Sequence, residues 1–341
     1  GQGVVFPHEQ TLSGPKEDRF QLMLATQMSL SPVFVLYDLP GDEITAAWQA
    51  GPGAGDPQTS FTDPEDGRGA TVTQLWRTCD PLLLELVRDL LAEGRFVIAD
   101  GHHRYETALR YQRHRHAQGA SEVADGECTA PSTPRAYDYV LAYFSNMADP
   151  GLAIYGTHRL VSGVDPALLA ALPQKLAATF TVERLTPEDA PTTAQTAAEA
   201  IAAYLQANPR KAFGLWGRDL EGAWGLRLAH PAAVDDAVPD HSQAYRELDV
   251  TILQSLVLEQ GLGITAGDMV AQRHVTFFKE PNDAFERLDR GEFQAGFFMN
   301  PTGLDQIRQV AQAGERMPQK ATFFYPKLPT GLVFHDLSGE L

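Results

Sequence analysis

The run Arg95-Phe-Val-Ile-Ala-Asp-Gly-His-His-Arg104, continued by Tyr105-Glu-Thr-Ala-Leu109, leaves the backbone few choices. Residues 96–99 are a short apolar stretch, read as a buried strand that ends at an Asp100-Gly101 turn. Residues 103–117 then read as a helix, with Tyr105, Ala108, Leu109 and Gln112 near one face and Arg104, Arg110, Arg113 and Arg115 around it. The junction sets two imidazoles and a guanidinium beside the N–H groups of a helix N-terminus. Such a terminus favours anions, because its donors and the helix dipole both present positive charge. A phosphate-bearing ligand is the expectation. The dipole contributes only about 0.3–2 kcal/mol, against roughly 8 kcal/mol for micromolar binding, so Arg104, the histidines and other segments must supply the rest.

At 341 residues the length points to two domains, 1–163 and 164–341. The net charge of −17, with 44 acidic against 27 basic residues and no sustained basic run outside 104–115, argues against nucleic acid as a partner. Cys79 and Cys128 form neither a disulfide framework nor a cysteine zinc site, and a reduced cytoplasmic setting is expected. No apolar stretch approaches the roughly 18 residues of a membrane span, and the first residues lack the pattern of a secretory signal.

Along the chain, strands are predicted at 33–37, 139–144 and 152–155, with Asp149-Pro-Gly151 as the turn between the last two. The Gly/Pro-rich stretch 51–67 reads as a mobile loop, and 119–134 as a second polar loop. Asp80 is the expected N-cap of a helix over 82–91, with Pro81 at its first position and a stop at Gly94. Beyond about Val164 come an alanine-rich helix (192–206), a hairpin (212–216 with 224–228) and an amphipathic helix (245–259). Strand 275–278, helix 283–290, strand 295–299 and helix 305–313 follow, before a closing segment at 317–327. The fold class is mixed α/β, with some α+β character.

Three further clusters carry chemistry. Pro7-His8-Glu9-Gln-Thr11 with Gly14-Pro-Lys16-Glu-Asp18-Arg19 packs acid, base and cation into a short span, and also fits a solvated turn leading into a helix. Thr157-His158-Arg159 lies beside a strand, where His158 suits a half-buried, satisfied position. In the fourth segment, Lys320 and Lys327 flank Phe323-Phe324-Tyr325-Pro326, an aromatic core stretch whose lysines could meet phosphate oxygens. Zinc is not favoured, because His114 and His116 are two apart on a helix and point to different sides.

His8-Glu9-x-Thr11, Lys16-x-Asp18-Arg19, the run from Ala99 to Ala108, Thr157-His158-Arg159 and Met317-Pro-x-Lys320…Phe324-Tyr-Pro-Lys327 occur in this order. Together they resemble the bacterial and archaeal family catalogued as domain of unknown function 1015, over nearly the whole chain. Two departures are visible: the chain starts almost at the His-Glu motif, without the usual preceding stretch, and Ala321 stands where serine is common. The Asp-Gly-His-His-Arg turn is similar to the phosphate-binding turn of the ParB/sulfiredoxin-like group, which includes ParB proteins, sulfiredoxins and free-serine kinases. That resemblance implies a ParB/sulfiredoxin-like nucleotide-binding core over 1–163 and a second α/β domain, with 315–327 returning to the site. It also implies that Gly101, His103 and Arg104 hold phosphate. His102 falls where sulfiredoxins carry their reactive cysteine, so that activity is not expected.

The expected activity is nucleotide-dependent phosphoryl transfer to a small hydroxy metabolite, with free serine as acceptor by resemblance alone. Such transfer needs charge stabilisation, a metal and a positioned base. ATP or ADP with Mg²⁺ would be the cofactors, Asp100 the metal ligand and Glu9 the general base. His8, Lys16, Arg19, His158, Arg159, Lys320 and Lys327 are candidate phosphate or substrate contacts. Two alternatives stay open: a phosphatase using His102 as nucleophile on a phosphoserine-type substrate, and a nucleotide-binding regulatory module without turnover.

Overall fold

The computed structural model describes residues 5–7, 14–63, 71–122, 134–189 and 191–339. The chain is a mixed α/β protein built on two principal sheets. Val33–Tyr37 is buried at all of its five positions, as its unbroken apolar sequence requires of a central strand. It pairs antiparallel with Phe96–Asp100 and parallel with Ala142–Asn146, while Val5–Pro7 pairs parallel with the outer side of Phe96–Asp100. The helix Pro81–Leu91 starts as anticipated, with Asp80 accepting the Leu82 N–H at 3.0 Å and Pro81 at the first helical position.

The second sheet has six strands, each antiparallel to its neighbours. Their order is Phe180–Arg184, Trp224–Leu228, Ala212–Trp216, Ala295–Met299, His158–Val161 and Val275–Phe278. The hairpin of 212–216 with 224–228 is as read from the sequence. One face of this sheet is covered by helices Ala194–Ala207 and Pro281–Asp289, where Leu160, Ile201, Trp216, Phe285 and Phe298 pack together. The Phe285 and Phe298 rings stack at 4.0 Å. The opposite face carries the larger core, which includes Leu172, Phe213, Leu253, Val257, Phe297, Met317 and Phe324.

Three expectations change. Within 51–67, a short 3-10 turn at Pro52–Ala54 is followed by strand Thr59–Asp63, which pairs with Thr71–Leu75. Trp48 meets Trp76 edge-on at 5.1 Å, and the Trp76 indole N–H donates to Gly55 O at 2.9 Å, so ring contacts outweigh the turn-forming composition. The part beyond residue 63 lies outside the described residues. The second polar loop, 119–134, opens instead as backbone of helix His102–Glu122, and 123–133 lie outside the described residues.

The helix expected over 245–259 forms as one run from Asp249 to Leu262, wide-turned (π) over Leu253–Glu259, and is separated at 247–248 from a short turn of helix at Gln243–Arg246. Residues 248–253 and 255–258 are buried, so this segment is enclosed on nearly every side. The turn expected at 149–151 forms, with Gly151 N–H donating to the Asp149 carboxylate at 2.8 Å. The strands on either side of it do not pair with each other. Ala153–Tyr155 pairs with Phe323–Tyr325, which carries the closing segment back toward the first sheet.

Two buried titratable groups oppose each other in acid. Burial pushes His158 down to about 4, with the neighbouring Arg159 charge adding to the effect. Burial pushes Asp249 up to about 6, against the Lys211 N–H that donates to it at 2.8 Å. Between about pH 6.5 and 4 the unfolded chain takes up a proton that folded His158 refuses, so stability falls with acidification by up to roughly 3 kcal/mol. Folded Asp249 keeps a proton that the unfolded chain loses, so its contribution is present in acid and disappears as pH rises through about 6. We expect the drop in Tm from pH 7 to pH 5 to steepen in Asp249→Asn and flatten in His158→Gln. Profiles for both variants parallel to that of the parent would contradict this assignment.

Candidate anion-binding cleft

The Asp100-Gly101 turn requires glycine for two reasons. Gly101 has φ of +90°, a left-handed conformation that side chains rarely adopt. A Cβ there would also lie 2.7 Å from Arg104 Nε, because the guanidinium folds back over the turn. The helix begins at once, and the Tyr105 N–H donates to Gly101 O at 2.9 Å. Arg104 donates to the Pro32 carbonyl and, at 3.2 Å, to Asp100 Oδ2. The same carboxylate oxygen lies 3.4 Å from Lys327 Nζ.

This turn opens on a cleft of about 610 Å³, a size ordinary for small-molecule sites. One wall is Ala99 to Arg104, joined by Arg19. The other comes from Thr157, from the edge strand Val275–Phe278 with Gln272 and Lys279 beside it, and from the returning segment with Lys320, Thr322, Phe323 and Lys327. Lys279 and Lys327 both sit against the Phe323 ring, with Nζ at 4.9 and 4.5 Å from its centroid, within cation–π range. Arg19, Arg104, Lys279, Lys320 and Lys327 thus bring five permanent positive charges, against Asp100 as the single carboxylate in the described lining. Burial draws the Arg104 guanidinium below its ordinary value, Asp100 opposes that shift, and the Arg19 charge adds to it. Positive charge concentrated in a chain of net −17 makes this cleft electrostatically favourable for an anion.

Of the candidates named from sequence, Arg19, Asp100, Gly101, His102, His103, Arg104, Lys320 and Lys327 line the cleft. His8 and Glu9 lie outside the described residues. Lys16 is not part of the lining: it pairs with Glu106, which Arg316 also approaches at 3.7 Å. His158 and Arg159 are buried behind the wall. His158 Nδ1 accepts the Met299 N–H at 3.4 Å, and its ring packs 5.3 Å from Phe298.

Lys279 and Gln272 were not anticipated, since a lone cation or amide at a strand end carries no local signal. Phe323 is not the core residue its aromatic run suggests: its ring is half-exposed and seats two lysines. Asp100 does not fit a protein-built Mg²⁺ site: one of its oxygens already faces two cations. Among the described residues no group of three His, Cys, Asp or Glu side chains gathers as a metal site.

The family described as "Protein of unknown function (DUF1015)" matches residues 1–251. No curated protein matches the chain. Among solved structures, a free serine kinase in complex with AMP is 14% identical, with a TM-score of 0.44 over 96% of this chain and 86% of that one. A conserved hypothetical protein from Pyrococcus furiosus is 14% identical, with a TM-score of 0.41 over 96% and 90%. SbnI with C-terminal truncation from Staphylococcus aureus is 12% identical, with a TM-score of 0.39 over 99% and 81%.

Gly101→Ala is expected to destabilise the chain by about 1–2 kcal/mol from the left-handed backbone alone, and to displace Arg104. Urea denaturation measures the loss. A change within about 0.5 kcal/mol, the range of a neutral surface substitution, would remove the constraint assigned to this turn.

Proposed function

The chain belongs to the DUF1015 family, and from that premise we propose that it binds a nucleotide in this cleft and transfers a phosphoryl group to a small hydroxy metabolite. The observation that carries the reading is the charge of the lining: five cations and one carboxylate around a glycine turn at a helix N-terminus. In phosphoryl transfer the protein's task is positioning and charge stabilisation rather than covalent chemistry. Arg104, His103 and the Gly101 backbone are assigned to one phosphate. Lys279, Lys320 and Lys327 take further phosphoryl oxygens from the facing wall.

Asp100 has the role of holding Arg104 and Lys327 apart at a set spacing, through one shared oxygen. Glu9 is assigned as the base that takes the acceptor hydroxyl proton, a role that requires it to come within about 3 Å of that group. Serine as acceptor follows from the resemblance of the turn to that of free-serine kinases. Mg²⁺, where it is needed, would have to arrive with the phosphates, since hard cations in such sites are often held largely by phosphate and water.

A second reading uses His102, which lines the cleft at 9% exposure, as a nucleophile on a phosphomonoester. The phosphoryl group would leave the ester oxygen for the imidazole, and water would then release it as phosphate. Phosphoserine supplied without nucleotide separates the two readings: release of inorganic phosphate that is abolished in His102→Asn favours the phosphatase.

The proposal is tested by calorimetry with ADP and ATP, with and without Mg²⁺, followed by mass spectrometry of serine incubated with the bound nucleotide. Arg104→Gln and Lys327→Gln are each expected to weaken nucleotide binding by about tenfold or more, the effect of one lost charge-assisted hydrogen bond. The kinase reading stands on phosphoserine formation. Binding without product assigns the cleft to a regulatory nucleotide site, and absence of binding at millimolar nucleotide overturns the proposal.

A further inference from the structure

We propose that Arg159 is a positioning residue that builds the back wall of the cleft from behind and sets its affinity for anions without touching one. It lies in the strand His158–Val161, paired across the sheet with Phe277 on one side and Phe297 on the other, and is 3% exposed. It is not part of the cleft lining. Its guanidinium instead borders a separate cavity of about 70 Å³, with Phe277, Pro318 and Gln319 among its walls.

From there it touches three residues that do line the cleft. One nitrogen donates to the Thr157 carbonyl and to Met299 Sδ at 3.0 Å, and another donates to the Lys320 carbonyl at 3.1 Å. The guanidinium carbon is 5.4 Å from the Phe277 ring centroid. Thr157, Phe277 and Lys320 come from segments more than a hundred residues apart in part, and this one side chain ties them together.

Lys320 is where the tie has most effect. Its φ of +55° is left-handed, a conformation a lysine adopts only when its surroundings hold it there. The Lys320 carbonyl is bonded by Arg159, and the next carbonyl, that of buried Ala321, accepts the Thr302 hydroxyl at 2.9 Å. A leucine or methionine at 159 would fill the same core space without desolvating a charge. What the guanidinium adds is two directional ties to backbone carbonyls, which keep Lys320 at the cleft.

The affinity arm of the test rests on the phosphate-binding reading above; the exchange arm does not. Inorganic pyrophosphate is titrated by calorimetry into the parent, Arg159→Met, Lys320→Gln and the double variant. Each single change is expected to lower affinity about tenfold. The double variant is expected to fall no more than about twofold below Lys320→Gln, because both act through one group. A purely structural role would give additive losses.

Hydrogen exchange is read on the same proteins without ligand. Amides across 319–323 are expected to lose protection in Arg159→Met, while those across 212–216 keep theirs. Arg159→Lys, which keeps the charge and can reach one carbonyl, is expected to fall between and supplies the reading if the methionine variant does not fold. Unchanged exchange across 319–323 in the variants that fold, or additive affinity losses, would overturn the proposal. A parent that does not bind pyrophosphate sinks the phosphate reading and leaves the exchange result to decide this one.

Discussion

One carboxylate oxygen organises the charged side of this protein. Asp100 Oδ2 stands between the Arg104 guanidinium at 3.2 Å, one helical turn away, and the Lys327 ammonium at 3.4 Å, which comes from the far end of the sequence. Without it, the cations of the cleft would face one another with little to offset their repulsion. With it, they are held at a spacing and still outnumber the negative charge around them. Like charges gathered in a partly desolvated concavity are unfavourable in themselves, and an anion placed among them would relieve that repulsion.

The geometry depends on a long-range pairing rather than on the motif. Phe323, Phe324 and Tyr325 pair with Tyr155, Ile154 and Ala153, and the buried Phe324 ring packs 6.1 Å from Phe34 in the first sheet. The same few residues therefore anchor in the core through Phe324 and turn Phe323 toward the cleft, as alternation along a strand dictates. Arg159 and Thr302 hold the preceding residues from the other side. Core packing, sheet pairing and hydrogen bonds to main-chain carbonyls all act on the wall at once.

Local chemistry was legible in the sequence wherever it was self-contained. The cap at Asp80 with Pro81, the strands Val33–Tyr37, Val275–Phe278 and Ala295–Met299, and the hairpin of 212–216 with 224–228 all depend on nearby residues. Readings failed where a distant partner changed the outcome. Trp48 and Trp76 meet beside a Gly/Pro-rich stretch whose residues 59–63 are a paired strand, and the segment expected to be amphipathic is buried nearly all round, with a wide-turned middle at Leu253–Glu259. Lys16 and Arg159 looked equivalent to Arg19 and Lys327 as cations in motifs. Burial and pairing separate them: Glu106 takes the first, and backbone carbonyls take the second.

The sequence by itself determined the strand–turn–helix junction at Asp100-Gly101, because an apolar strand, a position that only glycine fills easily and a helix N-terminus are all specified within about ten residues. It also determined that positive charge would be scarce enough elsewhere for any concentration of it to matter. The tertiary structure alone decided which cations face that turn. Lys279, Lys320 and Lys327 lie more than 170 residues from Gly101 along the chain, and their arrival depends on sheet order and on core packing around Phe324. No local pattern encodes such a meeting, since the free energy that drives it comes from burying apolar surface far from the charges themselves.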